Sequence, residues 1–493
     1  MSGAVALTSS QAKPPRFQMY LGGQWCDPTN GNYRSVQSPH SARVVAEIAE
    51  AGTADVHRAI YAASAGKETW ANQAPSAREG LLWAAAAELQ RRREEFADIL
   101  IEEGGSTALK AAYEVGQALH FLRGAAGECR RVTGETLASD KPGLISLTIR
   151  RPRGVVACIL PFNFPLLLGC KKVGLALAAG NTVVVKPSPH TSAAGLMMAQ
   201  LFDAVGFPAG SVNVLSADGA MFADIVARHP LVAMINFTGS TAVGRQLAAK
   251  AGEHLKKVSL ELGGKSPVIV LRDADLDYAT DAAIFGSMMH QGQICMAGTR
   301  LIVEKPIYEV LCSRLVAKAN GLKRGDPRDP AVVVGPLINA AKSQWLGEQV
   351  DQAVAGGASL LAGGRRNGAV YEPTVLGDVR SSMPVFNQEL FGPVLCVAQA
   401  ADEQEAIALA NSTSYGLSAA VITENLQAAF RVGLALRSGM VHLNHASVHD
   451  ESNGPFGGTG DSGLGREGGR YSIEEMTELT WVTVQVGHRK FPF

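Results

Sequence analysis

One cysteine in this chain sits where its thiol could do chemistry. The stretch His290-Gln-Gly-Gln-Ile-Cys295-Met-Ala-Gly-Thr-Arg300 surrounds it with small and polar residues, and no second cysteine lies nearby. Such a thiol can be a small buried hydrophobe, half of a disulfide, a metal ligand or a nucleophile. The full set is Cys26, Cys129, Cys158, Cys170, Cys295, Cys312 and Cys396. Seven scattered residues with no C-x-x-C give little support to a disulfide framework or a structural zinc site. His290 is close in sequence, but five residues along one local segment is poor geometry for a base. Partners for a nucleophilic cysteine usually come from elsewhere in the fold.

Two glycine-rich stretches are candidates for holding phosphate. Gly458-Thr-Gly460-Asp-Ser-Gly463 has the literal G-x-G-x-x-G spacing, yet it follows NGPF and runs into LGREGG. That context is a loop, and the spacing carries meaning only between a strand and a helix. Phe237-Thr-Gly239-Ser240-Thr-Ala-Val-Gly244 leaves an apolar run and opens a helix-like segment. Its glycines permit close backbone approach and the helix N-terminus favours an anion. It reads equally well as a plain strand-to-helix turn with Ser240 or Thr241 as N-cap. His442, His445 and His449 crowd one segment, and the last two have the i, i+4 spacing of a helical zinc pair. No Glu follows His445 and the stretch leaves a strand, so loop histidines are the plainer reading and no metal is expected.

These residues need a scaffold. Short β-branched runs (GVVACIL, NTVVVKP, SVNVLS, AMINFTG, KVSLELG and PVIVL) alternate with helix-like segments from about Gly154 to Leu271. That rhythm predicts a parallel sheet covered on both faces, where nucleotides bind at the carboxyl ends of strands. After Gly264 the pattern restarts with RLIVE, YEPTVL, GPVLCVA, SAAVIT and GMVHLN, a second α/β domain. The first 125 residues or so are rich in helix formers. LISLTIRRPR (144–153) and TWVTVQV (480–486) alternate like exposed strands, which need a covering partner such as another subunit.

Composition narrows the function classes. A length of 493 residues calls for two or three domains. With 45 basic and 45 acidic residues and no basic block, nucleic acid and anionic membranes are not expected as partners. No apolar run approaches a membrane span, and the opening MSGAVALTSSQAKPPRF lacks the pattern of a signal peptide. A soluble, reducing, cytoplasmic setting is the simplest reading.

Seven short motifs then fall into one order. Pro161-Phe-Asn163-Phe-Pro165, Lys186-Pro-Ser, Phe237-Thr-Gly-Ser240, Glu261-Leu-Gly-Gly-Lys-Ser266, Gly292-Gln-Ile-Cys295, Glu389-Leu-Phe391-Gly-Pro393 and Pro455-Phe-Gly-Gly458 resemble, over nearly the whole chain, the aldehyde dehydrogenases. HQGQICMA, HDES and ELTWVTVQ look most like the branch that oxidises benzaldehyde and other aromatic aldehydes.

The resemblance implies roles. Cys295 becomes the nucleophile, Asn163 with the Cys295 backbone N–H the oxyanion site, and Glu261 the base that activates water. Lys186 would meet the adenosine ribose, Gly239, Ser240 and Gly244 the pyrophosphate, and Glu389 and Phe391 the nicotinamide ribose and ring. Phe164, His290, His449 and Phe456 are candidates for the substrate channel. Many NAD-using members carry a glutamate three residues after the lysine, where this chain has Pro189. NAD is the first choice of cofactor, and the missing carboxylate leaves NADP open.

The fold implied is two doubly wound α/β domains plus a small β oligomerisation element. Residues 1–127 and 152–261 would form the nucleotide-binding domain and 262–463 the catalytic domain. Residues 128–151 and 464–493 would pair with another subunit in a homodimer or homotetramer. The leading function is NAD(P)-dependent oxidation of an aromatic aldehyde to its acid. An aliphatic or semialdehyde dehydrogenase is the alternative within the family. From a different class, a cofactor-independent cysteine esterase remains open, since a thioester-forming site can hydrolyse esters.

Overall fold

A computed structural model describes residues 13–493. Most of the opening segment read above for a targeting signal lies outside the described residues. Among those described, no helix is long and apolar enough to cross a membrane.

The first sheet has eight strands. Its five parallel members lie in the spatial order Val212–Val214, Thr182–Lys186, Val155–Ile159, Val232–Thr238 and Lys257–Glu261. In chain order this is 3-2-1-4-5, with the reversal between Val155–Ile159 and Val232–Thr238. A crevice opens at the carboxyl ends of strands at such a reversal. Every residue of Thr182–Lys186 is buried, as its unbroken apolar run requires in a sheet covered on both faces.

Helix Pro165–Ala178 follows the first of these strands, with Pro165 in its first turn. A carboxylate from another helix, Ala108–Glu128, caps it: Glu114 accepts from the N–H groups of Leu166 (2.9 Å) and Leu167 (3.2 Å). Negative charge at a helix N-terminus satisfies donors that have no partner within the helix. Glu103 likewise accepts at the start of helix Ser192–Ala204, at 2.7 Å from the Ala193 N–H and 2.9 Å from that of Ala194, and burial pushes its carboxyl up to about 8 against these bonds.

The second sheet has seven strands, in the order Ser359–Ala362, Thr374–Gly377, Val394–Ala400, Arg300–Glu304, Pro267–Val270, Ser418–Ile422 and Met440–Leu443. All but the first run parallel. PVIVL, which continues the first rhythm in sequence, therefore belongs to this second sheet.

A third, three-stranded sheet joins Leu144–Pro152 to Thr477–Gln485, in register from Pro152↔Thr477 to Leu144↔Gln485. It leaves Trp481 70% and Leu479 58% exposed. The intervening part of the tail lies elsewhere. Gly463–Leu464 adds an antiparallel edge to the first sheet, and helix Gly469–Met476 packs on Pro165–Ala178. The N-terminal part is not helical throughout. Five strands between Arg16 and Ala51 precede its helices, and Val44–Ala51 organises a small sheet of its own. Four of these strands have five residues or fewer, and Val44–Ala51, though eight residues long and largely buried, reads VVAEIAEA, whose alanines and glutamates also suit a helix.

Candidate active site

Cys295 lies between helix Leu276–Met288 and strand Arg300–Glu304, on a turn held in an uncommon shape. His290 (φ 49°), Gln291 (φ 56°) and Gly292 (φ 67°) are three successive left-handed residues. For the two non-glycine residues this costs about 1–2 kcal/mol each. Gln291 braces the turn by donating to the carbonyls of Gly105 (2.9 Å) and Pro336 (2.7 Å). Gln293 accepts from the Ile338 N–H at 3.0 Å. A side chain at Gly292 is excluded, since its Cβ would stand 2.2 Å from the Gly392 carbonyl. The polar residues beside the thiol are thus buried struts. Sequence reading missed that role, although two glutamines flanking a glycine in an apolar region were its signal.

A cavity of about 830 Å³ opens at the reversal of the first sheet, between the two large sheets. Cys295, Asn163, Lys186, Gly239, Ser240, Glu389 and Phe391 line it, together with Pro189. Ser240 is the N-cap of helix Thr241–Gly252, accepting from the Val243 N–H at 3.4 Å, so the plain strand-to-helix turn is present, and its N-terminal end faces the cavity. Gly244 is not on the wall. It lets the helix approach Leu262, to which a Cβ would come within 2.4 Å. At Gly263 a Cβ would stand 2.4 Å from the Glu389 carboxylate, which accepts from the Gly264 N–H at 3.0 Å. Lys186 is buried, and burial pushes its amine down to about 8, against the opposing pull of Glu50 and Asp218.

Asn163 donates through its side-chain amide to the Gln293 carbonyl at 2.9 Å. An amide nitrogen has two N–H groups, so this bond fixes Asn163 and leaves a second donor. Burial, then the nearby Glu389, Glu261 and Asp450 carboxylates, push the Cys295 thiol up to about 12.

Glu261 ends its strand outside the cavity lining, 2% exposed, with both carboxylate oxygens buried and unpartnered among the described residues. Burial and the charge of Glu467 hold its carboxyl well above the usual range. Burial acts on Glu467 in the same direction, but Lys172 and Lys171 outweigh it and hold this carboxyl low. Lys172 donates to Glu467 and to the Asn236 side chain.

Phe164 and Phe456 pack with Cys295 in an apolar cluster that also contains Phe121, Leu168 and the partly buried Tyr113. His290 is buried behind it, its ring edge-on to Phe164 at 5.5 Å between centroids. Burial and the charge of Lys110 keep His290 neutral. His449 lies apart from the cavity, its side chain 40% exposed and paired with Glu451 at 3.3 Å. His442, His445 and His449 pack ring against ring, with centroids 4.9–6.0 Å apart.

Four charged residues of the site were missed in the sequence: Lys171, Lys172, Asp450 and Glu467. Their signal was present. Two adjacent lysines interrupt PLLLGCKKVGLALA, a helix in which every residue is buried.

Comparison with known proteins shows the family. The model of the aldehyde dehydrogenase family matches residues 25–482. A benzaldehyde dehydrogenase of Bacillus subtilis is 40% identical over 477 residues, 97% of this chain and 98% of that protein. A vanillin dehydrogenase of Pseudomonas fluorescens is 40% identical over 480 residues, 96% of this chain and 99% of that protein. The crystal structure of a salicylaldehyde dehydrogenase from Pseudomonas putida, complexed with salicylaldehyde, superposes with a TM-score of 0.95 at 36% identity, covering 97% of this chain and all of that one.

Proposed function

Because the chain belongs to the aldehyde dehydrogenase family, we propose that it oxidises an aromatic aldehyde to the carboxylic acid, with Cys295 as nucleophile and Glu261 as base. One observation carries this reading. The Cys295 thiol stands between the cavity at the sheet reversal and a cluster of aromatic and aliphatic side chains suited to a ring. The names of the relatives agree with it.

The residues fit a nicotinamide dinucleotide. Lys186 has a buried amine whose one partner among the described residues is the Pro187 carbonyl at 3.3 Å, which leaves it able to meet the adenosine ribose. Gly239 and Ser240 at the helix N-terminus suit the pyrophosphate. Glu389 and Phe391 suit the nicotinamide ribose and ring, with Gly263 leaving room for the carboxylate. Gly244 serves by letting the helix close. The bound cofactor supplies the hydride acceptor. Pro189 supplies no carboxylate toward the ribose, so NAD is the cofactor proposed first and NADP is left open.

The chain's own residues do the rest. The Cys295 sulfur, giving up its proton, bonds to the aldehyde carbon. The Asn163 amide and the Cys295 backbone N–H hold the oxygen as it becomes negative. Loss of hydride leaves a thioester. Glu261 then takes a proton from water as the water attacks, and the acid leaves with the proton returned to sulfur. The thiol holds its proton tightly in the resting site, and that proton passes to bulk water before the attack, so Glu261 stays free to take the later proton from the hydrolytic water.

The exposed Thr477–Gln485 strand and its partner Leu144–Pro152 are proposed to pair with a second copy of the chain in a homodimer or homotetramer. Seven cysteines with no disulfide among the described residues suit the cytoplasm.

The test is reduction of NAD and NADP in parallel with benzaldehyde, with Cys295→Ala as control. Rapid turnover lost in the variant supports the proposal. Turnover confined to aliphatic aldehydes contradicts the aromatic reading, and ester cleavage without cofactor as the sole activity contradicts the oxidation.

A further inference from the structure

Lys171 and Asp450 form an ion pair where an apolar contact would cost less. Lys171 is fully buried, and its amine donates to both carboxylate oxygens of Asp450, at 2.9 and 3.2 Å. The same amine stands 4.1 Å from the Phe456 ring centre and 4.8 Å from that of Phe121. Both rings belong to the apolar cluster that contains Cys295. Replacing such a buried pair by apolar residues is often neutral or stabilising, so the pair is weak evidence for a stability role. Its neighbour Lys172 faces Glu467 and the base, and is already accounted for.

The pair is asymmetric. Lys171 has no exposed surface, whereas the Asp450 side chain keeps 11%. Each Asp450 oxygen has lone-pair capacity beyond the one bond it accepts. The open partner is therefore an acceptor, held in place by the Lys171 amine, whose charge opposes the upward push that burial gives its carboxyl. Tyr113, partly buried in the same cluster, lies within reach of its charge. This edge repels a substrate carboxylate and accepts a proton donor. We infer that Asp450, held by Lys171, is a specificity-determining residue that accepts a hydrogen bond from a hydroxyl on the ring of the aromatic aldehyde. The inference rests on the aromatic reading above and narrows it to phenolic aldehydes.

A site built solely for a hydroxyl discriminates by about 10⁴ or more, because its polar group is otherwise left unpaired. Asp450 is already paired, so a preference of about tenfold to a hundredfold follows from one bond to a charged acceptor.

The experiment compares kcat/KM for benzaldehyde, the three hydroxybenzaldehydes and their methyl ethers, with NAD saturating. A methoxy group donates electrons to the ring much as a hydroxyl does but has no proton to give. One hydroxy isomer should exceed both benzaldehyde and its own ether by about tenfold or more. In the double variant Lys171→Met with Asp450→Leu that ratio should fall to within about threefold, and Asp450→Asn should lower it in the same direction. Wild-type ratios near one for all three isomers overturn the inference without any variant, and so does a preference that survives the double variant. Oxidation of benzaldehyde with no hydroxyl preference overturns this assignment and leaves the aromatic reading intact. No turnover of any aromatic aldehyde overturns both.

Discussion

The two sides of Cys295 are built on different plans. On the side proposed for the cofactor, Asn163, Lys186 and Gly239 with Ser240 lie at or just after the carboxyl end of a strand, supplied by short contiguous motifs, and Glu389 follows the short helix Pro384–Asn387, with Gly263 cleared of a side chain beside it. On the substrate side, the contacts come from three segments far apart in the chain, around Tyr113–Phe121, Phe164–Lys171 and Val448–Phe456. Main-chain geometry shapes the first side and side-chain pairs shape the second. On the roles proposed above, cofactor binding rests on motif residues that lie close together in the chain, and the choice of substrate on side chains brought together from distant segments.

The sharpest break falls between the sides, at the thiol. Cys295→Ala should lower kcat by about four orders of magnitude or more for every aldehyde, whichever wall it contacts, measured by nicotinamide absorbance. Glu261→Gln should lower kcat by about 10²–10⁴ while leaving a single fast turnover, visible as a burst in stopped flow.

The pH profile then sharpens the account. The base acts only when ionised, and its carboxyl is held above the usual range by burial and by Glu467. Activity should therefore fall on the acid side at a higher pH than an ordinary glutamate would give. Glu467→Gln removes a neighbouring negative charge and frees Lys172 to favour the Glu261 anion. The acid limb of kcat should move to lower pH, and a limb that stays in place or moves up contradicts the assignment.

Smaller effects follow from packing. Gly244→Ala puts a methyl group 2.4 Å from Leu262. Overpacking of this kind costs about 1–3 kcal/mol, seen as a lower Tm and a raised KM for the cofactor with benzaldehyde KM little changed. Trp481→Glu, on the 70% exposed strand, should change turnover least and shift sedimentation toward smaller species.

How far the sequence could be read follows the same division. The buried parallel strands were legible because their apolar runs are unbroken, as in TVVVK and PVIV. The exposed stretches 144–153 and 480–486 were legible as strands through their alternation, but not as partners of each other, since they stand far apart in the chain. The strands between Arg16 and Ala51 were not legible: four have five residues or fewer, and Val44–Ala51 is rich in alanine and glutamate, which also suit a helix. In the site, motif residues at strand ends could be named in advance. Gly244 could be named but its role was displaced, since a glycine needed for packing looks like one needed for phosphate. Lys171 and Asp450 could not be paired in advance, because 279 residues separate them.

The most direct test of the central claim is mass spectrometry of the Glu261→Gln protein after brief exposure to benzaldehyde and NAD. The account predicts a benzoyl adduct on the peptide that contains Cys295, formed only when NAD is present. No adduct despite nicotinamide reduction, or an adduct on another cysteine such as Cys26, would contradict it.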